Sequence, residues 1–214
     1  MSRFSTILFD LDGTLVDAFT TIHRSYMHTL PQFGRPVPTM AEVRRAVGGG
    51  LADAMGHFLP PDLIPAAMKV HVAYSGQILL EDVKLMPGGA ELLRDLQARG
   101  VKCAVLTNKL GDASRRVCAH LGVAPFMQGI YGAGDTPWLK PRREFTDYVL
   151  EKLDAGAATA LLIGDSPFDV ETARNAGFPC WGVTTGTHTA AQLRAAGAEE
   201  IFPDLTSLGA RLER

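Results

Sequence analysis

Asp10-Leu11-Asp12-Gly13-Thr14-Leu15-Val16-Asp17 follows directly on the apolar run Ile7-Leu8-Phe9, and the reading of the whole chain turns on that junction. A β-prone run that closes on two carboxylates one residue apart, then Gly-Thr, serves packing poorly. Carboxylates at the end of a buried strand must be hydrogen-bonded, paired with a cation or bound to a metal. Two so close, followed by a turn with free backbone N–H groups, suit a cation and a phosphate held together.

Outward from this junction, short apolar runs alternate with segments of helical period. Strands are expected at residues 5–9, 102–106, 130–133, 160–163 and 180–183, with helices at 90–99, 113–121, 144–153, 169–176 and 190–196. Such alternation predicts an α/β fold built on a doubly wound, mainly parallel sheet. Ala160-Leu161-Leu162-Ile163 is continuously apolar, as in a strand covered on both faces. Asp10 and Asp12, Thr107 and Asn108, Gly134 and Asp135, and Asp165 each follow a strand immediately. In open α/β sheets the ligand crevice lies at the carboxyl ends of the strands, so topology gathers these distant residues on one edge.

Between Asp17 and about Val83 no strand is evident, and the segment reads as several helices. Phe19, Ile22, Tyr26, Met27 and Leu30 form an apolar stripe of helical spacing. Thr39-Met40-Ala41-Glu42 has the form of a capping box, and residues 63–80 read as one long helix. The expected division is therefore a catalytic α/β core of residues 1–16 and 84–214, with an α-helical insertion over 17–83. Residues 14–17 and 83–88 would be its two connecting strands.

The 214 residues are 46 % apolar and carry 21 basic against 23 acidic side chains, a net charge of −2. This balance offers no electrostatic reason to expect nucleic acid or an anionic membrane as partner. No apolar run is long enough to span a bilayer and no signal peptide is evident, so a soluble, cytoplasmic protein is expected, as a monomer or homodimer. Cys103, Cys118 and Cys180 are widely spaced and read as buried thiols rather than a disulfide or zinc set.

Asp10-Leu11-Asp12-Gly13-Thr14-Leu15-Val16 resembles the Asp-x-Asp-Gly-Thr-x-Val/Leu motif of the haloacid dehalogenase-like hydrolases. Thr107-Asn108, Lys140-Pro141 and Gly164-Asp165-Ser166-x-x-Asp169 supply further pieces in that family's order, across nearly the whole chain. Each piece has a plainer reading alone: Thr107-Asn108 as a helix cap, Lys140 as a surface lysine, Asp165 or Ser166 as a cap, Asp169 as a first-turn carboxylate. Their joint occurrence defeats those readings. Asp17 is read as structural.

The resemblance implies a phosphatase in which Asp10 is the nucleophile, forming an aspartyl-phosphate, and Asp12 the general acid and base. It implies Mg²⁺ held by the Asp10 carboxylate, the Asp12 backbone carbonyl and the Asp165 carboxylate. Thr107, the backbone N–H groups of Gly13 and Asn108, and Lys140 would contact the phosphoryl group, with Asp169 supporting Lys140 or a metal-bound water. Dehalogenases of similar motif lack the second Asp, so Asp12 favours phosphoryl transfer. The chain is similar to the phosphoglycolate phosphatase-like group with a helical cap, whose Val-Gly-x-Gly turn resembles Val47-Gly48-Gly49-Gly50. There Arg45 and Gly49 are candidates for binding the substrate beyond its phosphate, against a plainer reading as a solvated face and a helix end. One departure stands out: the group's Lys-Pro-x-Pro is here Lys140-Pro141-Arg142-Arg143.

The expected partner is thus a small phosphorylated metabolite, 2-phosphoglycolate first. A sugar-phosphate mutase of the same fold, or an idle regulatory binding protein, are the alternatives that these motifs leave open.

Overall fold

A computed structural model describes residues 3–213 of the chain. The strand ahead of the two carboxylates, β1 (Thr6–Phe9), is buried throughout and lies at the centre of the sheet. It pairs in parallel with β4 (Lys102–Leu110), where Phe9 faces Val105, and with β6 (Ala160–Gly164), where Phe9 faces Ile163. Adding β5 (Gly129–Ala133), β7 (Cys180–Val183) and β8 (Glu200–Phe202) gives a six-stranded parallel sheet in the order β5-β4-β1-β6-β7-β8. The strand order runs outward from β1 in both directions, which is the doubly wound arrangement expected from the alternation of apolar runs and helices.

Side chains alternate across a strand, so β1 feeds two cores. Ile7 and Phe9 join Val105, Leu161, Ile163 and Trp181 on one face. That face is covered by α5 (Gly89–Ala98), α6 (Gly111–His120) and α10 (Leu205–Leu212), through Leu93, Val117 and Leu208. Leu8 joins Ala104, Leu106 and Leu162 on the other, under α7 (Arg143–Lys152), α8 (Pro167–Ala176) and α9 (Ala190–Ala196), through Val149, Ala173 and Leu193. The three cysteines are buried and unbridged in these layers. The β8–α10 pair was not expected from sequence: β8 is a half-buried edge strand of three residues, too short for a period to show.

Beyond β1 the chain forms β2 (Val16–Asp17), which pairs antiparallel with β3 (Lys84–Leu85) in a small ribbon. Between these two strands lie α1 (Phe19–Thr29), α2 (Met40–Ala46), α3 (Leu51–Gly56) and α4 (Ile64–Ile78). The Asp17 carboxylate accepts from the Phe19 N–H at 3.2 Å and starts α1. Thr39 and Glu42 form a complete capping box on α2. These helices hold a separate apolar cluster around Tyr26, Leu30, Val43, Met55 and Leu59. Met27, expected on the buried stripe of α1, is 42 % exposed, because eight residues on from Phe19 the helix has rotated past its buried face.

Candidate active site

The carboxyl edge of the parallel sheet collects the polar residues that end its strands. The turn after β1 is set by Gly13, whose φ of +88° favours glycine and whose added Cβ would stand 2.8 Å from Asp165 Oδ2. Close approach of this backbone to Asp165 brings the turns after β1 and β6 together. Asp10 is anchored by its N–H to the Ile163 carbonyl (2.9 Å), and its Oδ1 accepts from the Leu11 N–H (2.7 Å).

Behind Asp10 is a buried ion-pair network. Lys140 Nζ lies 3.0 Å from Asp10 Oδ1 and 2.6 Å from Asp169 Oδ1, with the lysine side chain fully enclosed. Asp169 Oδ2 accepts from the Ser166 N–H (3.0 Å) and hydroxyl (2.6 Å), so the capping box of α8 doubles as the lysine's anchor. The Lys140 backbone is held from β4: its N–H donates to Asn108 Oδ1 (2.8 Å), and Asn108 Nδ2 donates to its carbonyl (3.1 Å) and to that of Gly48 (3.0 Å). Asp165 is oriented by the hydroxyl of Thr14 (3.0 Å) and by the N–H and hydroxyl of Thr187 (2.8 and 2.9 Å).

Burial, opposed by Lys140, raises the Asp10 carboxyl to about 6. Burial and the neighbouring Asp169 and Asp10 raise Asp165 to about 7. Burial also opposes the charge of Lys140, yet Asp10 and Asp169 outweigh it and hold the ammonium above its ordinary value. Asp10, Asp165 and Asp169 place carboxylate oxygens within 4.8 Å of one another. Of these three buried carboxylates, Asp10 and Asp169 share the one buried ammonium of Lys140, and Asp169 is further tied to Ser166. The remaining pair, Asp10 and Asp165, fits a hard divalent cation, which takes oxygen ligands and would balance the excess negative charge.

One sequence expectation about the surrounding turns needs correction. Thr107 and Asn108 do not stand at a helix N-terminus. Strand β4 continues to Leu110 and α6 begins at Gly111, because β4 still pairs with β5 beyond the end of β1, at Leu106 with Tyr131 and, after a register shift, at Leu110 with Ala133. Pro141 stands ahead of α7, which begins at Arg143, and Asn108 ties the backbone of Lys140 to β4 on both its N–H and its carbonyl. Thr107 is buried and its Oγ1 accepts from the Lys109 N–H (3.2 Å), leaving its own hydrogen to donate.

A cavity of about 290 Å³ opens over this edge, between it and α1, α3 and α4. Asp10, Asp12, Thr107, Asn108 and Asp165 line it, as do Gly48 and Gly50 from the glycine-rich turn; Gly49 is not among the lining residues. Arg45 is exposed and does not line the cavity either. Arg44 is the arginine that reaches the core: it donates to the Gly186 carbonyl (3.1 Å) and lies 3.9 Å from the centre of the Phe19 ring.

Sequence reasoning missed Lys109, whose Nζ lies 2.9 and 3.2 Å from the two Asp12 carboxylate oxygens. It also missed Thr14 and Thr187 as holders of Asp165. Thr187 carried a usable signal, since the polar run after the apolar strand β7 ends on the same sheet edge.

This edge, with its strand-terminal carboxylates, defines a hydrolase site. The chain belongs to the haloacid dehalogenase-like hydrolases, whose family model matches residues 7–183. Within them it falls in the phosphoglycolate phosphatase-like group. It is 31 % identical over 205 residues to a phosphoglycolate phosphatase of Caulobacter vibrioides, covering 92 % of this chain and 86 % of that one. A phosphoglycolate phosphatase of Rhodospirillum rubrum is 30 % identical over 214 residues, covering 95 % and 88 %. A haloacid dehalogenase-like hydrolase of Streptococcus pneumoniae matches with a TM-score of 0.90 at 26 % identity, covering 99 % of both chains.

Proposed function

We propose that this chain is a Mg²⁺-dependent phosphatase that hydrolyses a small phosphate monoester, 2-phosphoglycolate first among candidates, through an aspartyl-phosphate on Asp10. One observation carries the reading: a buried Asp10, 3.0 Å from the enclosed Lys140, faces the same cavity as Asp12 and Asp165. The curated relatives' names support the substrate class.

Asp10 attacks phosphorus; its Oδ–P bond forms as the ester P–O bond breaks. Asp12 gives its proton to the departing oxygen, then takes one from the water that attacks the aspartyl-phosphate, releasing phosphate and restoring Asp10. Lys140 stands beside Asp10 as a fixed positive charge for the moving phosphoryl group. Thr107 donates its hydroxyl hydrogen and the backbone N–H of Asn108 meets a phosphoryl oxygen, whereas the Gly13 N–H, expected from sequence to do the same, is spent on the Val16 carbonyl at 2.8 Å. When bound by Asp10, Asp165 and the Asp12 carbonyl, Mg²⁺ supplies the positive charge that lets an anion approach an anion. The helices of residues 17–83 act as a cap that excludes water and shapes the leaving-group space.

The test is phosphate release from a panel of small phosphate esters, with Mg²⁺ and with chelator. Mg²⁺-dependent release concentrated on 2-phosphoglycolate supports the full reading. Release spread evenly over the panel keeps the phosphatase and removes that substrate. Isomerised ester without free phosphate overturns the hydrolase in favour of a mutase.

A further inference from the structure

Asp12 is the proposed proton donor to the leaving oxygen, yet both of its carboxylate oxygens are engaged by Lys109 Nζ, at 2.9 and 3.2 Å. Neither partner is freely solvated: their side chains are 11 % and 16 % exposed. An oxygen that accepts from an ammonium must let go before it can serve the ester oxygen. Lys109 therefore needs another anion to move to, since removing one partner from a shielded ion pair is costly whereas exchanging it is not.

Among the described residues the cavity has no other cationic side chain to offer an anionic leaving group. Lys109 is the sole lysine or arginine among the described residues that line it. Lys140 is bound below to Asp10 and Asp169, and Arg44 is committed to the Gly186 carbonyl and the Phe19 ring. Ile22, Leu51, Met68, Val72 and Leu79 make much of the remaining wall. His71 also faces the cavity, but burial and then Lys109 lower its imidazole to about 4, so it is neutral there.

Chemistry supplies the second anion. In a 2-phosphoryloxy carboxylic acid the carboxylate is attached directly to the carbon that bears the ester oxygen. A group so placed, with its ester oxygen at Asp12, falls beside the cation that already holds Asp12.

We propose that Lys109 is a specificity-determining residue that exchanges Asp12 for the carboxylate of a 2-phosphoryloxy acid, so that the substrate's own carboxylate frees Asp12 for the leaving oxygen. This rests on the phosphatase reading above and adds to it the group by which the substrate is chosen. Esters without the carboxylate leave Lys109 on Asp12 and turn over slowly.

Ethyl phosphate is the matched probe, carrying a methyl group where 2-phosphoglycolate has its carboxylate. Wild-type kcat/KM is expected to favour 2-phosphoglycolate by roughly 30-fold or more, the effect of one charge-assisted hydrogen bond. In Lys109→Met that ratio collapses toward one, and in Lys109→Arg a substantial part of it returns. An unchanged ratio in Lys109→Met, with both esters slowed alike, overturns the exchange and leaves Lys109 as a holder of Asp12 alone. A wild-type ratio near one also overturns it, without recourse to any variant, while keeping the phosphatase. Failure of the wild type to release phosphate from either ester with Mg²⁺ present overturns the phosphatase reading for these substrates, and the exchange with it.

Discussion

Asp10 and Lys140 have opposite consequences when removed, although they touch each other at 3.0 Å. Asp10→Asn keeps the size of the side chain and removes one of three clustered buried carboxylates, two of which share a single ammonium. Phosphate release should fall below detection while the thermal midpoint stays level or rises; turnover surviving this change would remove the nucleophile. Lys140→Met instead leaves Asp10 and Asp169 facing each other without their cation. Breaking a buried pair in this way costs ~3–5 kcal/mol, so denaturant unfolding should show a large loss of stability beside the lost activity. A stable but inactive Lys140→Met protein would mean that the network is less buried than it stands here.

At the scale of elements, the core strands hold the chemistry and the inserted helices hold the cavity wall. The side chain of Asn108 joins the two, with bonds from β4 to the Lys140 loop and to the glycine-rich turn before α3. The capping box of α2 lies on the exposed side of that insertion, away from the cavity lining. Thr39→Ala should therefore cost about 1 kcal/mol, the usual worth of an N-cap, and lower the midpoint by roughly 2–4 °C. Its kcat on the preferred ester should match the wild type. A matched loss of kcat would show that α2 takes part in shaping the site.

For the molecule as a whole, the acidic cluster makes stability depend on pH in an unusual direction. Asp10 and Asp165 stand at about 6 and about 7 in the fold, against an ordinary value of 3.8. A carboxyl raised by folding binds more protons folded than unfolded, so its contribution is complete below the ordinary value and is lost as pH rises through the raised one. The metal-free protein should thus lose midpoint temperature between about pH 4 and about pH 7. Mg²⁺ needs these groups ionised, so it should raise the midpoint more at the upper end of that range. Thermal scans with chelator and with Mg²⁺ across the range check both halves. A metal-free midpoint that climbs over that interval would show that another set of groups governs the pH response.

Much of this molecule was legible in one dimension because its signals are local. An apolar run that stops at two carboxylates marks β1 and its turn, continuous apolar runs mark doubly covered strands, and Thr39 to Glu42 marks a helix start. Parallel topology then brings the strand ends to one edge without any further instruction. Beyond the reach of local pattern were the partners across that edge. Lys109 finds Asp12 at a separation of 97 residues, and Asn108 finds the Lys140 backbone across 32. Neither could be read from sequence, because a lysine or an asparagine after a strand looks the same whether it faces water or a carboxylate. Which arginine of α2 reaches the core was likewise decided by packing, since Val43 and Ala46 set which face of α2 is buried and Arg44 then reaches Phe19 and Gly186. The residues and their edge follow from local chemistry and chain order; the pairing of charges follows from distances that only the folded chain defines.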